Sequence, residues 1–387
     1  MTIGIPKEIL EGEQRVAALP ETVREYVAMG FEVLVQAGAG AGVFRADDEY
    51  ASAGARILDD PRQLFERSDV VLKVKQPVLN TEIGLHEVDM QRPGSILITF
   101  LHPAAPSNHY MIRKLCDRRV TAFTMDGIPR TSRAQHMDAL TSMSTVTGYM
   151  SMLIAATHFP KFVPMIGTAI GTIPPASVLV IGAGVVGLQA IATAKRLGAK
   201  ITALDIRAEA CRDAGSVRGT TILDFDVPQE LAVGDEGYAK ALPPEWLERE
   251  HAVLAPVVRE ADIVILSALV PGEVAPVLIT EDMVRTMRPG SVIIDVSIDQ
   301  GGNCTLTKPG CTTVEHDVCI CGTANIPGSM AVHATWLYAN NMLCYVQNLF
   351  REGVGKINFD DEVVQQSLVT CNGGLLHAGA RKAMGEA

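Results

Sequence analysis

Residues 177–187, SVLVIGAGVVG, carry the strongest signal for the fold. An apolar strand runs into Gly182, Gly184 and Gly187, which form the pattern Gly-x-Gly-x-x-Gly, and an Ala-rich helix pattern, LQAIATAKRLG, follows at once. The first glycine permits a tight turn, the second lets the backbone approach a pyrophosphate, and the third lets the helix pack on the strand. The helix N-terminus also offers N–H groups to phosphate. The sequence therefore predicts a dinucleotide-binding unit here.

An acidic residue follows at the position that such a unit requires. Asp205 ends the next apolar run, KITALDI, and lies 18 residues beyond Gly187. A carboxylate there can accept both ribose hydroxyls and repels a 2′-phosphate, so the predicted cofactor is NAD rather than NADP. Arg207, two residues further on, weakens this preference.

Apolar strand patterns recur on both sides of this motif. They are apolar on successive residues and alternate with helix-like segments, which is typical of parallel strands buried on both faces. They are TIGIP (2–6), FEVLVQAG (31–38), DVVLKVK (69–75), SILITFL (95–101), VTAFTMD (120–126), ADIVILSA (261–268), GSVIIDVS (290–297) and VCICG (318–322). The predicted fold class is α/β, with two doubly wound, Rossmann-like parallel-sheet domains.

The two series of strands define two domains. Residues 141–158 carry apolar side chains at helical spacing and predict a helix between the series. A second apolar helix pattern covers residues 330–350, and the tail beyond it is expected to return to the first domain. We expect a discontinuous catalytic domain, residues 1–140 plus 330–387, and a NAD-binding domain, residues 141–329.

Composition excludes several classes of partner. The chain has 387 residues, with 33 basic and 44 acidic side chains and a formal charge of −11, which argues against binding nucleic acid or an anionic membrane. No secretory signal and no uninterrupted apolar stretch of ~20 residues is present, so we expect a cytoplasmic protein. The cysteines lack zinc-ribbon spacing and are expected to be reduced thiols, with no metal site.

The connection at residues 223–253 is longer than a crossover needs and mixes glycine, proline and acids. We interpret it as a surface excursion. Long loops of this kind serve as lids or as docking segments for a partner, and the sequence leaves both open.

Polar residues follow several apolar segments, where parallel sheets place ligand-binding groups. Lys75 ends VVLKVK, His102 follows SILITFL, and Asp299 follows GSVIIDVS. Arg15 lies in the loop after the first strand. Each residue is a weak signal by itself, but the set of four predicts a substrate site.

Motifs along nearly the whole chain resemble the alanine dehydrogenase and transhydrogenase family. They are IPKE, EQRVA, KVKQP, FLHPAA, SMSTVTG, GAGVVGLQAIATAKRLGA, SIDQGG and TANIPG. The resemblance implies an NAD-binding domain set between two parts of a catalytic domain. It also implies a homo-oligomer, since one branch of the family forms dimers and the other forms hexamers.

The alanine dehydrogenase branch implies a substrate site. Its arginine in ENRVA, lysine in KVKEP, histidine in YLHLA and aspartate in IDQGG match Arg15, Lys75, His102 and Asp299. The resemblance also implies that Met143 and Ser144 bind the cofactor and that Asn325 binds the substrate.

Other segments resemble the NAD(H)-binding subunit of proton-translocating transhydrogenase. They are PRTSRAQHMDAL, PPASVLV, the excursion with GYAK, GGNC and LVTCNGG. On that branch, Arg130, Gln135 and Asp138 would contact the nicotinamide and Tyr238 would lie on a mobile loop. The chain departs from this pattern where Thr141 replaces a serine, and where the lysine and histidine of a substrate pocket are retained.

Chemical requirements favour the first branch. Hydride transfer between two nicotinamides needs no acid, base or carboxylate anchor from the protein. Oxidation of an amino acid needs all of them: Arg15 would bind the carboxylate, Lys75 would hold it or polarise the oxo group, His102 would shuttle a proton, and Asp299 would position water. The sequence thus favours NAD-dependent, reversible oxidative deamination of a small L-amino acid.

Two alternatives remain at this point. One is the NAD(H)-binding alpha subunit of a transhydrogenase, whose membrane and NADP-binding subunits would be separate chains. The other is an NAD-binding protein without turnover.

Overall fold

The computed structural model describes residues 1–234, 239–270 and 274–386, so Tyr238 lies outside the described residues. Two compact units are present. The first unit comprises Met1–Met143 and Pro327–Ala387, and the second comprises Ser144–Ile326.

The strands of the described chain follow in sequence order. They are β1 (Thr2–Ile5), β2 (Glu32–Gln36), β3 (Arg56–Leu58), β4 (Val70–Leu72), β5 (Leu79–Asn80), β6 (Leu85–His86), β7 (Ile96–Thr99), β8 (Thr121–Thr124), β9 (Ile166–Thr168), β10 (Gly171–Ile173), β11 (Ser177–Ile181), β12 (Lys200–Leu204), β13 (Thr220–Ile222), β14 (Ile263–Leu266), β15 (Val292–Asp295), β16 (Thr312–Glu315), β17 (Val318–Cys321), β18 (Leu368–Cys371) and β19 (Gly374–Leu375).

The α-helices connect these strands. They are α1 (Pro20–Ala28), α2 (Asp47–Ser52), α3 (Pro61–Arg67), α4 (Glu87–Met90), α5 (His109–Asp117), α6 (Ala139–His158), α7 (Val185–Arg196), α8 (Ala208–Ser216), α9 (Gln229–Ala232), α10 (Pro244–Glu260), α11 (Glu281–Thr286), α12 (Ala331–Leu349), α13 (Glu362–Ser367) and α14 (Ala378–Met384). Within the described ranges, none of them combines the length and the apolar character needed to cross a bilayer.

The sheet of the first unit has the strand order β19-β18-β8-β7-β4-β1-β2-β3. Strand β1 pairs in parallel with β2 on one side and with β4 on the other, and Ile3 lies opposite both Val33 and Val70. The order therefore reverses at β1. Gly4 allows this strand to approach the end of α3, because a Cβ there would lie 2.0 Å from the Ser68 hydroxyl oxygen.

The sheet of the second unit has the order β13-β12-β11-β14-β15-β17-β16, and its order reverses at β11. Successive residues of β11 enter two different cores. Val180 packs in the cluster that includes Ala190 of α7, and Ile181 packs in the cluster that includes Leu254 of α10. Helices thus cover both faces, which explains the continuous apolar runs. The prediction of two doubly wound sheets, the first formed by two parts of the chain, is confirmed.

Three details differ from the sequence predictions. The edge strand β16 pairs antiparallel with β17, and β18 pairs antiparallel with both β8 and the edge strand β19. Strand β4 ends at Leu72, because the N–H of Val74 donates to the carboxylate of Glu8 at 2.6 Å, so Lys75 lies in the segment beyond the strand. The predicted excursion also contains α9, and its last part is the start of α10.

The signal for α10 was present in the sequence. Proline at the first helical position, followed by an acid in the first turn, starts helices, and Pro244 and Glu245 hold these positions. The loop that connects to α10 is therefore shorter than the sequence interpretation allowed.

A buried ion cluster joins the ends of the two central strands of the first unit. The Nζ of Lys73 lies 2.8 Å from a carboxylate oxygen of Glu87 and 3.2 Å from one of Glu8, and its side chain is 1% exposed. Burial opposes the charge on Lys73, but the two carboxylates raise its pKa overall. Burial also raises the pKa of Glu8, which Lys73 offsets only in part. The cluster fixes the loop after β1 to the segment after β4.

Replacing Lys73 with methionine keeps the side-chain length and removes the charge. We expect the free energy of unfolding to fall by about 3–5 kcal/mol, because two carboxylates remain buried without a counter-charge. Urea unfolding measures the change. Lys7→Met, at an exposed position of the loop after β1, is the control and should stay within about 0.5 kcal/mol of the parent. Equal losses in the two variants would show that the cluster does not stabilise the fold.

Candidate functional site

The glycine-rich turn after β11 has the shape that a pyrophosphate requires. Gly182 has a left-handed φ of 88°. A Cβ at Gly187 would lie 1.9 Å from the Gly182 carbonyl oxygen, so the turn packs directly on the first residues of α7. At Gly184, the nearest atom to an added Cβ is a nitrogen of Arg207 at 3.6 Å. The turn thus leaves space and a nearby positive charge where phosphate oxygens would lie, and these residues fit the dinucleotide.

Asp205 connects this turn to the end of β12. One carboxylate oxygen accepts the N–H of Ala183 at 2.7 Å, and the guanidinium of Arg207 donates to both oxygens at 3.0 and 2.9 Å. The Asp205 side chain is 5% exposed. Arg207 compensates part of its charge, as the sequence interpretation anticipated, so repulsion of a 2′-phosphate is reduced. The ribose contact of Asp205 stays a prediction.

A second buried acid lies near Asp205 and was missed in the sequence. Glu250 of α10 is 4% exposed. Burial, and then the negative charge of Asp205, raise the pKa of Glu250 to about 7. Nothing in the helical pattern of α10 distinguishes this residue, because the interaction depends on how the helix packs.

The end of β14 completes the crevice of the second unit. The hydroxyl of Ser267 donates to the Gly182 carbonyl at 2.8 Å. Asn303 is fully buried and donates to the carbonyls of Ala268 and Pro276 at 3.0 and 2.7 Å, and it accepts the N–H of Ala268 at 3.1 Å. Asn303, from the GGNC motif, therefore holds the segment after β14 in place.

Two predicted substrate residues also belong to the second unit. Asp299 is exposed on the 3-10 turn Val296–Gln300, directly after β15. Asn325 is partly buried and has a left-handed φ of 51°. The carboxyl edge of the sheet thus carries Asp299, as expected from its position after a strand.

Arg15 lies in the first unit and is almost completely buried. Its Nε and one terminal nitrogen donate to the two carboxylate oxygens of Glu13 at 2.8 and 2.6 Å, and the other terminal nitrogen lies 3.0 Å from the sulfur of Met143. Both charged side chains are at most 2% exposed. The planar edge that would grip a substrate carboxylate is therefore engaged by Glu13, a residue that the sequence interpretation did not single out.

A cavity of about 450 Å³ lies beside this pair. Residues of the loop after β1 and of the turn at 38–44 line it, and Phe44 lies at its edge with a φ of 59° and 85% exposure. A Cβ at Gly42 would lie 2.3 Å from the Gln14 carbonyl oxygen, so this glycine lets the turn approach the Arg15 loop.

His102 follows β7 and is paired with a carboxylate. Its Nδ1 lies 2.9 Å from one oxygen of Asp126, and its backbone N–H donates to the other oxygen at 2.7 Å. Burial would raise the pKa of Asp126, but His102 and the hydrogen bonds that the carboxylate receives lower that pKa to about 2. Asp126 is therefore ionised at neutral pH. Lys75, the remaining predicted residue of this unit, is partly buried.

The residues implied to contact the nicotinamide precede and begin α6. Arg130 and Gln135 are exposed. Both oxygens of Asp138 are bound by Thr141, at 2.8 Å from its N–H and 2.6 Å from its hydroxyl. The threonine that replaces a serine thus still fixes the Asp138 carboxylate.

The next residues of α6 were predicted to bind the cofactor. Met143 is buried against Arg15, and Ser144 is partly buried. Their role stays a prediction, as do the roles of the four substrate residues.

A doubly wound unit with this turn and acid defines a dinucleotide-binding protein of the Rossmann class. Two family models match the chain: "Alanine dehydrogenase/PNT, N-terminal domain" over residues 4–147 and "Alanine dehydrogenase/PNT, C-terminal domain" over residues 151–378. The chain belongs to the alanine dehydrogenase and transhydrogenase (PNT) family. The expectation of NAD as the cofactor is confirmed by this membership.

Relatives from both branches are similar over nearly their full lengths. The first segment of the NAD(P) transhydrogenase alpha subunit of Rhodospirillum rubrum is 43% identical, and the match covers 97% of this chain and 98% of that relative. The "Alanine dehydrogenase" of Bacillus subtilis is 33% identical, and the match covers 100% of this chain and 95% of that relative.

Solved structures of both kinds share the fold. A transhydrogenase from Sinorhizobium meliloti has a TM-score of 0.84 and 34% identity, covering 97% of this chain and 100% of its own. An L-alanine dehydrogenase has a TM-score of 0.83 and 29% identity, covering 100% of this chain and 99% of its own. The fold alone therefore does not separate the two branches.

Replacing Asp205 with alanine tests the ribose assignment. The dissociation constant for NADH should rise roughly 10- to 100-fold, the loss expected for a hydrogen bond to a charged group, and that for NADPH should rise less. Calorimetric titration measures both. Asp213→Ala, which removes an exposed acid from α8, is the matched control and should bind both as the parent does. Equal loss of NADH and NADPH affinity would contradict the assignment.

Proposed function

We propose that the chain is the NAD(H)-binding alpha subunit of a proton-translocating transhydrogenase, the alternative derived from the sequence. The observation that carries the proposal is its 43% identity to the transhydrogenase subunit of Rhodospirillum rubrum, against 33% to the alanine dehydrogenase of Bacillus subtilis. Each of these relatives is matched over at least 95% of its length, so partial coverage does not explain the difference.

The Glu13–Arg15 pair is compatible with both branches, because the glutamate of the alanine dehydrogenase motif ENRVA matches Glu13. An amino-acid dehydrogenase needs a guanidinium that can bind a substrate carboxylate with two parallel hydrogen bonds. In this chain Glu13 accepts two such bonds from Arg15 at 2.8 and 2.6 Å within a buried environment. A substrate carboxylate would have to displace Glu13 or use another edge of the guanidinium. Hydride transfer between nicotinamides does not require that edge.

The proposal assigns alignment, rather than acid–base chemistry, to the protein. When bound, NAD(H) supplies the hydride. Asp205 and the glycine-rich turn hold the dinucleotide, and Arg130, Gln135 and Asp138 orient the nicotinamide. Thr141 keeps the Asp138 carboxylate in one orientation through two hydrogen bonds. The NADP-binding and membrane subunits are partner chains, and the chain itself forms a homo-oligomer.

One observation favours a second function, NAD-dependent oxidative deamination of a small L-amino acid. The His102 side chain is 42% exposed and is held by an ionised carboxylate, which suits a general acid or base. On this reading Arg15 and Asn325 bind the substrate, and Lys75, His102 and Asp299 take part in catalysis.

Two parallel assays on the purified chain distinguish these functions. The first measures hydride transfer from NADPH to an acetylpyridine analogue of NAD⁺ after addition of the NADP-binding component of a related transhydrogenase. The second measures NADH oxidation with ammonia and a panel of 2-oxo acids. We expect turnover in the first assay only, and only with the added component.

Single substitutions test whether the residues proposed to orient the nicotinamide contribute to hydride transfer. Arg130→Ala should lower the transfer rate roughly tenfold or more, because the loss of one orienting contact raises the barrier. Ser132→Ala, at an exposed position two residues away, should leave it unchanged. NADH oxidation by a 2-oxo acid and ammonia, without transfer in the first assay, would refute the transhydrogenase proposal and favour deamination.

A further inference from the structure

His102 is held in a backbone conformation that few side chains adopt. Its φ is 45°, in the left-handed region. The residue is fixed there by contacts on both sides: its N–H donates to Asp126, and its carbonyl accepts the N–H of Ala105 at 3.0 Å and the side-chain amide of Asn108 at 3.3 Å. Strained conformations that are determined by several contacts occur most often at functional sites.

The imidazole ring is fixed as well as the backbone. It stacks on Phe100 with ring centroids 5.7 Å apart and planes 2° from parallel. Its Nδ1 faces one oxygen of Asp126 at 2.9 Å. The hydroxyl of Thr124 donates to the other oxygen at 2.6 Å, the same oxygen that accepts the His102 N–H. The carboxylate is therefore oriented by two elements, β8 and the segment after β7.

We propose that Asp126 is a positioning residue that makes His102 a proton-transfer group of the first unit. An ionised carboxylate can only accept hydrogen bonds, so the proton of the neutral ring is on Nδ1. The Nε2 atom then carries the lone pair and is the atom that takes a proton from a bound molecule or returns it. Asp126 stays ionised throughout and stabilises the imidazolium.

Two titratable side chains that interact with Asp126, His377 and Tyr338, are neutral near pH 7. Burial lowers the pKa of His377, at the start of α14, although Asp126 acts to raise it. Burial raises the pKa of Tyr338 well above its usual range, and its hydroxyl donates to the Lys73 carbonyl at 2.7 Å. Near neutral pH, His377 therefore does not supply the positive charge beside Asp126, whose carboxylate is bound by His102 and Thr124.

The inference goes beyond the proposed function. Hydride transfer between nicotinamides uses no protein acid or base, so it neither requires nor excludes this pair. Nitrogen NMR of the imidazole rings tests the pair without any turnover, so its result is separate from the outcome of the two activity assays.

The experiment compares the full-length parent, Asp126→Asn and Asp117→Asn, with the His102 signals assigned from a His102→Gln spectrum. In the parent, His102 should be the tautomer with the proton on Nδ1. In Asp126→Asn, the pH at which the ring gains its second proton should fall by about one unit, because the adjacent negative charge is lost. Asp117→Asn removes an exposed acid of α5 and should cause no shift.

Two outcomes would overturn the proposal. One is a parent spectrum with the proton of the neutral ring on Nε2, which needs no variant and holds even if Asp126→Asn fails to fold. The other is an identical protonation midpoint in Asp126→Asn and Asp117→Asn.

Discussion

Each parallel sheet reverses its strand order once, at β1 in the first unit and at β11 in the second. At such a reversal, the loops that follow the two neighbouring strands run to opposite sides of the sheet. A crevice then opens at the carboxyl ends of these two strands. The buried Lys73 cluster joins the two sides of the first crevice, and the turn at Gly182 forms one side of the second. These reversals place the buried Lys73 cluster and the glycine-rich turn at the carboxyl ends of the strands.

The second unit could be predicted in detail because its signals are local. Gly182 has a left-handed φ, and a Cβ at Gly187 would lie 1.9 Å from a carbonyl oxygen. Both positions therefore require glycine, and the sequence shows this as the Gly-x-Gly-x-x-Gly pattern. Asp205 lies at a fixed spacing from them. The sheet topology followed from continuous apolar runs, because each strand residue enters one of two covered cores.

The partners of the candidate residues could not be predicted in this way. Asp126 and Glu250 acquire their roles through packing that brings distant segments together, and no spacing rule indicates it. Glu13 contacts Arg15 only two residues away, but the sequence does not show that the two side chains bind each other. The end of β4 was misplaced because Glu8, far away in the chain, takes the N–H of Val74. Residue types therefore indicated where chemistry occurs, but whether Arg15 is available to a ligand depends on Glu13, which only the structure reveals.

The fate of the hydride distinguishes transhydrogenation from deamination in a single experiment. The chain would be incubated with NADH deuterated at C4, the NADP-binding component loaded with NADP⁺, and ammonia with a 2-oxo acid in the same vessel. Mass spectrometry then identifies which product carries deuterium. For a transhydrogenase subunit we expect deuterated NADPH and an unlabelled amino acid. Deuterium at C2 of the amino acid, with unlabelled NADPH, would show that the chain is an amino-acid dehydrogenase instead.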